Sequence, residues 1–288
     1  IQLTGDPRRW PNEPGGPGFI KVMDPTPWDY SFGTTDEQIV ENNLKYLDEV
    51  IRFEGPHTIA AMFIETVTGT NGILIPPKGY LSKLKALLNS YGILLVCDEV
   101  MAGWGRTGKL FGFMHEDVVP DMVTTAKGLT SSYVPLGMVA VSDKIAKHFQ
   151  DNVFWGGLTY NAHPYCLEVA EAVIDTMLEE KMVENAAKLE PVMRAHHEKL
   201  KAKHRSVRTH RNIGLFGLIE LQKNPDLGLV GRPRTFLSGR TVLVWQYWAS
   251  FEQLEAYARS QSAAHLPAWR SFNAKVRDNG SVGIYHET

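Results

Sequence analysis

An α/β fold built on a mainly parallel sheet is what this sequence predicts, and three observations carry the prediction. Apolar runs at 59–64 and 93–97 are strand-like, and a helical stretch separates them, the order that parallel strands need. Two more strand-like runs follow at 121–125 and 138–141. An ionisable residue stands just after each of the first three runs, namely Glu65, Asp98 and Lys127, where open parallel sheets place their ligands.

The elements follow in chain order. Residues 5–33 hold Gly5, Pro7, Pro11, Pro14, Gly15, Gly16, Pro17, Gly18, Pro25, Pro27 and Gly33. So many breakers predict a long surface loop, functional or leaning on a partner chain. Thr34 and Thr35 are cap candidates for a helix in which Ile39, Val40, Leu44, Leu47, Val50 and Ile51 recur at helical spacing, up to the stop at Gly55-Pro56. The run 59–64 then reads as a buried strand, 79–91 as a helix closed by Gly92, and 93–97 as another buried strand. A helix is expected near 143–149. From Cys166 to Lys203 the pattern is almost wholly helical, with Val169, Val173, Met177, Leu189, Met193 and Leu200 as apolar anchors. Between Glu198 and Arg211 six bases stand against one acid, which reads as a solvated helix face. Residues 213–222 are expected to form a strand, and a Gly/Pro/Arg-rich joint follows Asn224-Pro225. The predicted units are therefore a large domain at 1–175, a small one at 176–224, a junction at 225–240 and a separate tail at 241–288.

Composition excludes several functions. The 288 residues are 43% hydrophobic and 22% charged with a net charge of −2, which advertises neither a nucleic-acid nor a membrane-surface binder. No apolar stretch approaches the roughly 20 residues that span a bilayer. Cys97 and Cys166 are the two cysteines, and free thiols in a reducing cytoplasm are expected of them, with no signal peptide in front. The chain opens on Ile1-Gln2-Leu3-Thr4, which alternates like the middle of a strand, so the natural N-terminus is expected upstream.

Two motifs in the middle of the chain imitate nucleotide sites. Gly103-Trp104-Gly105-Arg106-Thr107-Gly108 matches a dinucleotide fingerprint, and 103–109 matches a phosphate loop. The first must open a helix, yet 109–113 shows no helical periodicity; the second needs Ser or Thr where Leu110 stands. Both are read as accidental.

Asp98-Glu99-Val100, the loop Gly103–Gly108, Pro120-Asp121, Ala126-Lys127-Gly128 and Pro135-Leu136-Gly137 resemble the class III aminotransferases in order and spacing. Glu65 with Gly69 is similar to the family's E-P-x-x-G, with Thr66 in place of the proline, and Leu158-Thr159-Tyr160 with His163-Pro164 is similar to its T-Y-x-x-H-P. The resemblance covers roughly residues 1–224. It implies the large domain of a pyridoxal-phosphate-dependent (PLP-dependent) transferase of fold type I and a partial α+β small domain. Pyridoxal 5'-phosphate is the implied cofactor, with Lys127 as its Schiff-base lysine and Asp98 as the carboxylate that keeps its pyridine nitrogen protonated. Val100 would pack on the ring, Thr159 would donate to the phosphate across the interface of a homodimer, and Glu65 would border the substrate pocket. The implied reaction moves an amino group from an amino acid or omega-amine to a 2-oxo acid. The family's phosphate-cradling helix start and ring-stacking aromatic fall before Ile1, so the alternative is a catalytically inactive, aminotransferase-like fragment that serves only as a binding or pseudoenzyme module.

Residues 235–288 resemble another group, small monooxygenase-like proteins related to ferredoxin-like barrels, on Val244-Trp245-Gln246-Tyr247-Trp248, His265-Leu266-Pro267-Ala268-Trp269 and Gly283-Ile284-Tyr285-His286. That implies an appended α+β half-barrel, with His265 and His286 as packed histidines. The half-barrel is expected to dock on Leu215, Phe216 and Leu218 of a strand that has lost its neighbours.

Overall fold

The computed structural model describes residues 2–6, 16–27 and 30–221, and the backbone of 234–238 and 241–245. The expected half-barrel, with His265 and His286, lies outside the described residues apart from one strand. The chain divides into two compact units, 1–203 with 210–219, and 204–209 with 220–288.

Helix α1 (Asp36–Glu54) begins where the threonines predict. The Thr35 hydroxyl accepts from the Gln38 N–H at 3.3 Å, while the Gln38 side-chain oxygen accepts from the Thr34 N–H at 3.0 Å, so orphan donors of the first turn are satisfied from both directions. Its buried stripe is Val40, Asn43, Leu47 and Ile51, and Gly55 ends it. Asn43 is tolerated there because its Oδ1 accepts from the Tyr80 hydroxyl at 2.9 Å and its Nδ2 donates to the Met23 carbonyl.

Strand β1 (Ala61–Glu65), helix α2 (Tyr80–Tyr91) and strand β2 (Leu94–Asp98) form the expected βαβ unit. Gly79 has no side chain to cap α2, and the Glu116 carboxylate does so from a distance, accepting from the N–H groups of Gly79 at 2.8 Å and Ser82 at 2.9 Å. Strand β3 (Met122–Thr125) follows, and the sheet order is β1-β2-β3-β4 with β4 at Met138–Val141. Pairs β1–β2 and β2–β3 are parallel and β3–β4 is antiparallel. The reversal has a local cause: residues 126–137 join β3 to β4 with a 3-10 turn, Lys127–Thr130, as their one regular element, and no helix carries the chain back across the sheet as a parallel crossover needs.

The core lies between α1, α2 and the sheet, with Leu47, Leu84, Leu88, Leu95 and Cys97 essentially inaccessible. Each such side chain contributes about 1.5–3 kcal/mol by leaving water. The run 59–64 departs from its expectation of a buried strand. It pairs only from Ala61, and Phe63 is 45% exposed because β1 is an edge strand of the described sheet, with one face uncovered.

Asp121, just before β3, fastens α2 to the sheet. Its Oδ2 accepts from the Lys85 ammonium and from the Leu95 N–H. Burial raises its carboxyl, but these two donors outweigh burial and hold it below the ordinary aspartate value of 3.8. A depressed carboxyl stabilises the fold above that range and loses its contribution as pH falls through the folded pKa. Asp121→Asn is thus expected to lower the urea midpoint at neutral pH, with the gap to the parent protein closing below about pH 3.8. A gap that stays constant into strong acid would show that ionisation of Asp121 contributes nothing.

Helices α3 (Asp143–Asp151), α4 (Pro164–Glu179) and α5 (Met182–Lys203) follow, the last with Pro191 inside it. Among the described residues no helix is long and apolar enough to cross a membrane. Both cysteines are free.

The reading of 198–211 as one solvated helix face needs correction. The helix ends at Lys203, and strand β5 (Val207–Ile213) occupies what was read as a solvated face. Strand β6 (Phe216–Leu221) starts after a turn at Gly214-Leu215 and forms a two-stranded sheet with β5. Arg211 is tied down, its Nε donating to the carbonyls of Gly72 at 2.7 Å and Ile73 at 2.9 Å. Phe216 is buried in a cluster with Val67, Ile73 and Ala102, against which Leu218 packs, so two of the three apolar residues expected to be uncovered have partners in this unit. A hairpin of β7 (Arg234–Ser238) and β8 (Thr241–Trp245) is described by its backbone alone, paired antiparallel from Arg234↔Trp245 to Ser238↔Thr241.

Candidate active site

The parallel register brings the predicted charges to one edge of the sheet. Glu65 ends β1, Asp98 ends β2, and the two are direct partners; Asp98 in turn pairs with Thr124 of β3, three residues before Lys127. Asp98 is half-buried. Its Oδ1 accepts from the Val100 N–H at 2.9 Å, the turn that also fixes Val100, and its Oδ2 makes no hydrogen bond among the described residues.

Glu65 accepts from the Gly69 N–H at 2.8 Å through Oε2. Burial pushes its carboxyl above the ordinary range; the Gly69 N–H opposes this, the Asp98 charge adds to it, and the Lys127 ammonium counters it. Glu65 therefore feels both other charges. Lys127 opens the 3-10 turn after β3 with a left-handed backbone, φ 45°, and its side chain is exposed beside a cleft of about 420 Å³ that Thr130, Tyr133 and Leu136 also line. Glu65 borders a different cleft, of about 290 Å³, with Asp24, Thr68 and Tyr80. Asp24 ties the breaker-rich segment to this edge, its Oδ2 accepting from the Thr68 hydroxyl at 2.7 Å.

Thr159 is not joined to the others. It lies in the turn between α3 and α4, exposed, and no hydrogen bond links its side chain to them among the described residues. Its neighbours Phe154, Trp155, Leu158 and Tyr160 are exposed as well.

Sequence reading missed Glu99. It is completely buried, and its carboxylate accepts from the Thr66 hydroxyl at 2.8 Å and from the N–H groups of Gly112 at 2.8 Å and Phe113 at 3.0 Å. Burial raises its carboxyl and these three donors oppose the rise. A signal was present: strand alternation puts Glu99 on the side of Cys97 and opposite Asp98, so one of two adjacent acids had to face inward. The same bond explains Thr66 where E-P-x-x-G has proline, since a proline could not donate to Glu99. The fingerprint look-alike 103–108 opens no helix; it runs as turns into a four-residue 3-10 segment, Gly112–His115, which disposes of the nucleotide reading.

Known proteins similar to this chain are aminotransferases. The profile of the family described as Aminotransferase class-III matches residues 11–241, past the point near 224 where the sequence reading ends the likeness. An uncharacterized aminotransferase of Sinorhizobium fredii is 37% identical over 198 residues, which are 67% of this chain and 42% of that protein. An omega-aminotransferase of Caulobacter vibrioides is 39% identical over 185 residues, 62% of this chain and 42% of that protein. Among solved structures, the taurine:2-oxoglutarate aminotransferase of Bifidobacterium kashiwanohense, in complex with PLP and glutamate, superposes with a TM-score of 0.73 at 40% identity over 77% of this chain and 51% of that one. The chain thus spans about two fifths of the length of the two relatives and about half of that structure.

Proposed function

This chain belongs to the class III aminotransferases, and from that premise we propose that it carries the lysine and carboxylate of a pyridoxal-phosphate site that moves an amino group from an amino acid or omega-amine to a 2-oxo acid. The observation that carries the reading is the register: Asp98 and Lys127 stand at neighbouring strand ends, a carboxylate with an unengaged oxygen and an exposed amine. That pair fits the group's two chemical needs, a negative charge for its ring nitrogen and an amine for its aldehyde. The cofactor, when bound, supplies an electron-accepting ring.

The chain's own residues do the rest. Asp98 would hold the proton on the ring nitrogen through its charge, and the Val100 N–H keeps the carboxylate oriented. Lys127 would hold the group's aldehyde through its Nζ amine, and that amine, when free, would carry the substrate's proton as a general base and acid. Val100 would bound the ring on one face, and Glu65 would border the amino donor. Thr159 donates to the phosphate of a second copy, so the working form is a homodimer. Its exposed aromatic surroundings support that placement.

Titration of the chain with pyridoxal phosphate tests the reading. A lysine-linked absorbance band is expected that disappears in Lys127→Ala, with amino-group transfer lost by several orders of magnitude. No band, or one that survives Lys127→Ala, would leave the chain a binding module without this chemistry.

A further inference from the structure

The Gly103–Gly108 loop is conspicuous in the sequence and unused by the nucleotide reading, and its Trp104 touches the strand end that bears Lys127. We propose that Trp104 is a positioning residue, clamping the turn that carries the Lys127 amine. This rests on the assignment of Lys127 above.

One side chain holds the backbone on both sides of Lys127. Before it, the Trp104 indole N–H donates to the hydroxyl of Thr125, the last residue of β3, which is 2% exposed. After it, Gly128 lies so close that a Cβ there would sit 2.7 Å from the Cβ of Trp104 and 3.2 Å from its Cγ and Cδ1. Only a glycine lets the backbone approach the indole this closely.

The indole is itself held in place. It meets Phe111 edge-on at 5.2 Å, and Phe111 stacks on Phe113 at 5.5 Å. Trp104 and Lys127 both have left-handed backbones, φ 58° and 45°, a conformation that bulky residues keep only where the surroundings over-determine it. The contacts of Trp104 with Thr125 and Gly128, on either side of Lys127, supply that determination. Because residues 98–104 run from the end of β2 to Trp104, whose indole bonds Thr125 of β3, the clamp also ties the strand end of the carboxylate to that of the amine.

Trp104→Phe keeps a ring against Phe111 and a Cβ against Gly128 but removes the donor; Thr125→Val removes the acceptor at nearly equal volume. Two readouts are taken on each variant and on the pair combined. One is amide hydrogen exchange at Leu129 and Ser131, which close the turn on the Ala126 and Gly128 carbonyls, relative to Leu84 and Leu88 in α2. The other is the rate at which Lys127 captures added pyridoxal phosphate. Each single variant is expected to speed exchange in the turn about 3- to 10-fold, the range of one net hydrogen bond, with α2 unchanged. Capture should slow by a similar factor, and the combined variant should match either single one, because both remove the same bond.

Unchanged exchange, equal acceleration in the turn and α2, or single effects that multiply would overturn the proposal. So would faster exchange in the turn with capture at the parent rate. If the unaltered chain captures no pyridoxal phosphate, the proposed function fails instead, and exchange in the turn alone decides the clamp.

Discussion

Asp98→Asn is expected to leave capture of pyridoxal phosphate by Lys127 largely intact while slowing removal of the substrate's proton by several orders of magnitude. The asparagine Oδ1 can still accept from the Val100 N–H, so the turn after β2 should survive. What changes is the other atom, an oxygen with no hydrogen bond among the described residues, which becomes a neutral amide nitrogen. It carries no charge to keep a proton on the ring nitrogen, and it presents hydrogens where an acceptor is needed. Lys127 stands on the neighbouring strand end and needs only its own amine for capture. Equilibrium binding of the cofactor and single-turnover loss of the substrate's α-proton separate the two effects. Equal loss in both would count against the role given to Asp98.

The largest effect on stability is expected at Gly214. This residue turns β5 into β6 with φ +54°, and a Cβ on it would lie 2.3 Å from the carbonyl carbon of Thr107, 2.6 Å from the nitrogen of Gly108 and 2.7 Å from the oxygen of Thr107. All three are backbone atoms, so no side chain can swing away. The turn is also pinned where it sits, with Gly214 N–H donating to Glu190 Oε2 at 2.9 Å and Leu215 N–H donating to the Arg106 carbonyl at 3.0 Å. Left-handed strain and overpacking together put Gly214→Ala at roughly 2–5 kcal/mol of destabilisation. Gly217→Ala is the control, because its nearest obstacle, at 2.9 Å, is the sulfur of Met193, the mobile end of a flexible side chain. Comparable urea midpoints for the two variants would show that the Gly214 approach can relax.

Those two residues mark the division between local and tertiary information in this chain. Asp98 was legible from the sequence because its signal is local: an apolar run, a charge at its end, and a motif of fixed spacing. Helix α1 was legible for the same reason, since Thr35, the apolar stripe and Gly55 act within a few residues of one another. The βαβ order, the strand ends that bear Glu65 and Lys127, and the failure of 103–108 to open a helix follow from the same short-range rules. The sequence by itself therefore determined the α/β class and the edge of the sheet where the charges meet.

Tertiary structure decided what depends on partners distant along the chain. Strand β5 lacks an apolar run, and its pairing with β6 comes from the turn at Gly214. Arg211 leaves a run of bases that reads as solvated because the Gly72 and Ile73 carbonyls, more than a hundred positions away, need a donor. Glu99 can be buried because Thr66, Gly112 and Phe113 converge on it, and Trp104 becomes a clamp because Thr125 and Gly128 do. A hydrogen bond or a close approach is a property of two places in the chain, and only folding brings them within 3 Å of each other.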